Sequence, residues 1–153
     1  MTPENIESRP FQDCVDWQCF GCGRLNEHGL QIKSHWEGDE IVCRWQPQPF
    51  HVGHPGRLLG GIIATAVICH SVWAATAVAH RRQGREIREP LDYAYGTKSL
   101  KLDLLKPTPI EGILTLRARV KEMEGDRATV SCSVFVNDEE TARAETEHVR
   151  LPL

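Results

Sequence analysis

Leu58 to His80 reads L-L-G-G-I-I-A-T-A-V-I-C-H-S-V-W-A-A-T-A-V-A-H, and no charged side chain interrupts it before the basic tract Arg81, Arg82 and Arg85. A helix built from it has no solvated face, so it belongs at the centre of a fold rather than on its surface. A membrane span has about this length, but His70, Ser71 and the frequent alanines dilute the hydrophobicity, and strand-like alternation follows downstream. The expectation is an enclosed helix in a soluble domain, without a membrane partner.

Downstream, apolar side chains recur at every second position. Leu100, Leu102 and Leu104 form one set, Leu114, Leu116, Ala118 and Val120 a second, and Ala128, Val130, Cys132, Val134 and Val136 a third. Such alternation marks strands with one buried face. Lys106-Pro107-Thr108-Pro109 and Glu124-Gly125-Asp126 supply the turns between them, and Thr141 to Leu151 is a further strand with poorer alternation. Arg81 to Thr97 reads as polar and turn-rich.

Upstream, Leu30, Ile32, Ser34 and Trp36 face Ile41, Cys43 and Trp45 across the Glu37-Gly38-Asp39-Glu40 turn, which predicts a hairpin. Gln46 to Arg57 carries three prolines, two glycines, His51 and His54, an ordered loop leading into the helix. Met1 to Gln18 shows no steady period and reads as an arm packed on the body, leaving residues 19–153 as a single domain. One hairpin, one enclosed helix and a run of strands define an α+β arrangement, an antiparallel sheet wrapped round the helix. A sheet with a single helix leaves an edge and part of that helix uncovered. Pairing with a second copy closes both.

Composition narrows the function. The chain has 153 residues, 25% charged and 41% hydrophobic, with a net charge of -3. That suits one soluble domain and gives no basic footprint for nucleic acid. The acidic start, Met-Thr-Pro-Glu-Asn-Ile-Glu, lacks the apolar core of a secretory signal, and six cysteines in an unexported chain read as reduced thiols; the expected location is the cytoplasm.

Cys19-Phe20-Gly21-Cys22-Gly23 offers two thiolates at metal-ligand spacing, whereas a structural zinc site needs four ligands. Cys14 and His28 are the neighbours that could complete a set. The favoured reading is a packed, glycine-rich turn with buried thiols and no metal; a zinc-stapled interaction module is the competing one. A redox role is disfavoured because the pair does not sit at a strand-to-helix junction.

Taken in order, C-F-G-C-G, a hairpin, a P-G loop, G-G-I-I-A-T opening a long helix, and L-K-P-T-P-I resemble the hotdog-fold thioesterases of the PaaI type, from Cys19 to Leu151. The resemblance implies a hotdog fold, a homodimer or dimer of dimers, and hydrolysis of acyl-CoA thioesters between subunits without a cofactor. It also implies that Gly60 and Gly61 open the site, with the Gly61 amide facing the thioester oxygen. The position before the pair, usually histidine in that family, is Leu59. The family's acid, general base or nucleophile, falls about two turns on, at Ile68.

Without that carboxylate a neighbour must act, or chemistry is lost and an acyl-CoA-binding protein remains. His70 points roughly 200° from Ile68 at about 100° per residue, and reads as a hydrogen-bonded core residue. Gly61, Ala64, Thr65, Ile68, Ser71 and Val72 share the stripe expected to face the partner. Ile68 and Ser71 would line the substrate there beside Gly60. Thr65 is a candidate catalytic hydroxyl, although it and Ser71 can each bond back one helical turn. Imidazoles titrate near neutrality, which makes His54, nearer Gly60 than His51 is, the candidate base. Arg81 and Arg82 form a candidate phosphate rim, the alternative being cations suited to a helix C-terminus.

Overall fold

A glycine in the left-handed region ends the central helix. In α1 (Gly60–Arg82), the chain turns at Gly84, φ +70°, a conformation that costs glycine no Cβ clash. There the Arg85 N–H donates to His80 O (2.8 Å) and the Gly84 N–H to Arg81 O (3.0 Å), the Schellman arrangement that satisfies terminal carbonyls. A computed structural model provides this structure and describes residues 9–153. The first eight residues of the expected arm lie outside the described residues.

Six antiparallel strands form one sheet in the order β1-β2-β4-β5-β6-β3. They are β1 (His35–Glu37), β2 (Glu40–Trp45), β3 (Tyr93–Leu104), β4 (Leu114–Glu124), β5 (Arg127–Val136) and β6 (Glu139–Pro152). Period-two alternation sets their register. Leu116 pairs with Val134, Ala118 with Cys132 and Val120 with Val130, so aliphatic side chains meet across strands on the helix side. Leu114 and Leu116 are fully buried, each stabilising the fold by roughly 1.5–3 kcal/mol relative to exposure.

Alanines at 66, 74, 75, 77 and 79 are buried along α1; their small volume lets helix and sheet approach closely. By length and composition α1 could cross a membrane, but 67% of its apolar window is buried inside the fold. A partly open stripe runs along it through Gly61, Ala64, Thr65, Ile68 and Val72.

Three expectations need correction. The first hairpin strand is confined to His35–Glu37; Leu30, Ile32 and Ser34 are buried as irregular chain because Ser34 bonds Gln12 rather than a strand. Tyr93 to Thr97, read as turn-rich, is the start of β3: Tyr93 and Tyr95 are buried, and the Arg150 guanidinium lies 4.2 Å from the Tyr93 ring centroid and donates to Tyr95 Oη at 2.9 Å. Ser71 leaves the open stripe, being fully buried, with no hydrogen-bond partner for its hydroxyl among the described residues.

β3 closes one side of the sheet, hydrogen-bonded to β6 alone. Leu100, Leu102 and Leu104 stand opposite Thr146, Ala144 and Ala142, in the register that faces the core. Leu104 is nevertheless 55% exposed, and Leu100 and Leu102 are half-buried, on this edge strand beside the start of α1.

The described part of the expected arm enters the core. Phe11–Cys14 forms a 3-10 turn with Phe11 and Gln12 buried, and the Phe11 N–H donates to Ser34 O at 2.8 Å.

Candidate functional site

The start of α1 has no side-chain cap. Its first internal bonds run from the Ile62 and Ile63 N–H groups to Leu59 O (3.0 and 3.2 Å), while the Leu59 N–H donates to His51 O. The amides of Gly60 and Gly61 therefore remain without a backbone acceptor among the described residues, at the positive end of a helix dipole. Gly61 is exposed. A Cβ added there would meet nothing nearer than Leu59 Cδ2 at 3.9 Å, so neither packing nor conformation demands glycine at this position.

An open cleft of about 690 Å³ lies beside this helix start, walled by Leu58, Leu59, Ile63, Leu104, Leu105 and Pro107, with His54 and Gly60 on its rim. Two ties hold the wall in place: the Leu58 N–H donates to Thr108 O at 2.8 Å, and Arg57 bridges Pro109. Thr108 is fixed in turn by its hydroxyl, which donates to Thr141 Oγ1 at 2.9 Å. The sequence marked 106–109 only as a turn. Its role as a cleft wall depends on these long-range contacts, which have no local signature.

The structure thus brings His54 and Gly60 into one cleft. His54 is exposed, and its ring has no hydrogen-bond partner among the described residues. His51 is structural: Nδ1 accepts from the Gln48 N–H at 2.9 Å, and the ring lies 5.3 Å from Trp45. Burial lowers its pKa, which favours the neutral acceptor. Thr65 is half-buried, and its hydroxyl donates to Gly61 O at 2.9 Å, the back-bond open to it in the sequence. Ile68 is half-buried on the open stripe.

His70 is a core residue, fully buried, with its pKa lowered by burial to about 4. Arg81 and Arg82 are not brought to the cleft of their own chain. Arg81 lies twenty residues along α1 from Gly61, about 30 Å at 1.5 Å per residue, and its guanidinium stacks 3.5 Å from the centroid of Trp36.

The C-F-G-C-G turn packs against α1 near Thr65, where a Cβ on Gly21 would stand 2.3 Å from Cys69 Sγ and 3.1 Å from Thr65 Cγ2. Cys14 and His28 lie apart from it. Cys14 Sγ bonds Pro10 O at 3.6 Å, and the exposed His28 ring pairs with Glu27. Cys69, on the helix, is the residue that joins Cys19 and Cys22.

No family model matches the chain. It does align with a thioesterase superfamily protein from Shewanella loihica at 30% identity and a TM-score of 0.66, over 83% of this chain and 96% of that structure. Acyl-coenzyme A thioesterase THEM4 of Xenopus laevis is 29% identical over 69% of this chain and 41% of its own length. THEM4 of Bos taurus is 24% identical over 95% and 54% respectively. The chain belongs to the hotdog-fold thioesterase superfamily. It spans about half the length of the curated relatives that it matches.

Proposed function

We propose that this chain binds an acyl-CoA thioester at a seam between two copies and hydrolyses it with a group other than the usual carboxylate. The observation that carries the reading is the pair of unbonded amides at Gly60 and Gly61, the first of which lines an apolar cleft and the second of which follows it on the exposed start of α1. Amides so placed stabilise the negative charge that develops on a thioester oxygen as water adds to the carbonyl carbon. The acyl chain lies against Leu58, Leu59 and Leu104. His54 takes the proton of the attacking water and returns it to the departing CoA thiolate.

Support for a second copy comes from β3. Its outer edge is unpaired among the described residues, and of the leucines in core register there Leu100 and Leu102 are only half-buried and Leu104 is exposed. A partner continuing the sheet there would bury these leucines and the open stripe of α1, as a dimer or as a dimer of dimers. Arg81 and Arg82 then act as a phosphate rim for the cleft of the other subunit. The free state of all six cysteines fits a reducing compartment such as the cytoplasm.

A second reading is favoured by Ile68. An aliphatic side chain at the family's acid position, with the Thr65 proton engaged by Gly61 O, suits a protein that retains acyl-CoA but does not cleave it. Thiol release and equilibrium binding, measured together on a panel of acyl-CoA esters, separate the two. Turnover that falls in His54→Ala supports hydrolysis, whereas saturable binding without turnover supports the second reading.

A further inference from the structure

The C-F-G-C-G turn has a geometry that thioester chemistry does not use. Cys19, Cys22 and Cys69 bring their sulfurs within 4.8 Å of one another, with Cys19 Sγ and Cys69 Sγ at 3.9 Å. Thiolates bound tetrahedrally to zinc at about 2.3 Å stand about 3.8 Å apart, so one edge of such a site is already formed. The turn that presents them is closed by the Gly23 N–H donating to Cys19 O at 2.7 Å. Glycine is required twice: a Cβ at 21 would collide with Cys69 Sγ, and one at 23 would lie 2.3 Å from the Cys19 amide nitrogen.

We propose that Cys19, Cys22 and Cys69 form a three-thiolate site for a soft or borderline divalent cation of the zinc class, stapling the C-F-G-C-G turn to α1. Cys19 is exposed while Cys22 and Cys69 are buried, so the fourth position opens on the Cys19 side to water or a small ligand. A cation that binds the cluster displaces the thiol protons. Soft sulfur ligation selects zinc, cadmium or cobalt over magnesium and calcium.

The test is a titration of the full chain, reduced and stripped of metal, with Co²⁺. A thiolate-to-cobalt charge-transfer band that saturates at about one equivalent and disappears on adding Zn²⁺ is expected. Cys19→Ser, at an exposed position that leaves the fold intact, should weaken binding at least about tenfold and reduce the band. Cys132→Ser, at a thiol buried in β5, should change neither. Zinc should also raise the thermal midpoint of the wild type but not of Cys19→Ser. Absence of the band overturns the proposal, as does a band that Cys19→Ser leaves unchanged. A chain lighter by two hydrogens, with Cys19 locked in a disulfide under the conditions of metal binding, overturns it as well.

Discussion

Ser34 Oγ lies 2.7 Å from His70 Nδ1, linking the N-terminal segment to the central helix through a fully buried network. His70 Nε2 stands 2.9 Å from Ile41 O, a carbonyl that can only accept, so Nε2 carries the proton and Nδ1 accepts from the serine hydroxyl. Gln12 completes the chain: its Nε2 donates to Ser34 Oγ at 2.9 Å, and its Oε1 accepts the Ser34 N–H at 2.7 Å. Ser34→Ala strands both neighbours without water, a loss of about 1–3 kcal/mol. The urea midpoint should fall with an unchanged slope, and an unmoved midpoint would show that the network does not hold the segment.

The same histidine makes stability depend on pH. Burial lowers His70 from 6.5 to about 4 and His148 likewise to about 4, so both are neutral in the folded chain when the unfolded chain protonates. The unfolded state binds more protons in this window, and stability falls as pH drops from about 6.5 toward 4. His70 alone accounts for a loss on the order of 3 kcal/mol. Glu37 and Glu145 are held below 4.5 by Arg44 and Lys121, and their contribution is lost at lower pH. Denaturation curves between pH 7 and 4.5 therefore report mainly the histidines, and a flat profile there contradicts the assignment.

How far the sequence could be read depended on where its signals were local. The boundaries of α1 were legible because an uncharged apolar run is bounded by Gly60-Gly61 and by arginines, and β4 and β5 because valine, leucine and alanine alternate there. β6 alternates less clearly because its inward positions are Ala142, Ala144, Thr146 and His148; the last two hydrogen-bond each other at 2.7 Å, a core of polar groups that hydropathy does not register. Ser71 was misplaced because an angle of 100° per residue gives position on the helix but not which flank the sheet covers. Cys69 escaped notice as a partner of Cys19 and Cys22 because fifty residues separate it from Cys19.

Ile68, where the family resemblance would put the acid, is half-buried on the open stripe of α1, so a carboxylate there keeps access to water. Ile68→Asp should raise thiol release from acyl-CoA by at least about tenfold, the low end of what a positioned base contributes less some misalignment. A variant that binds acyl-CoA as the wild type does, with no gain in rate, would remove this position from the chemistry.

The partly exposed leucines on the edge strand β3 predict pairing with a second copy. Sedimentation of the wild type should give twice the chain mass, or four times it for a dimer of dimers, and Leu102→Glu, which sets a charge in that apolar surface, should lower it. A monomeric wild type, or a variant of unchanged mass, contradicts the seam.

The central claim is that the amide of Gly61 faces the reacting carbonyl, and Gly61→Ala tests it most directly. The added methyl has room inside the protein and removes backbone freedom from a helical position, so stability should rise by about 0.5–1 kcal/mol. The same methyl would stand between the amide and a bound thioester. The rate of thiol release from acyl-CoA should therefore fall at least about tenfold while the fold is strengthened. Hydrolysis at the wild-type rate in a well-folded Gly61→Ala protein would contradict the account.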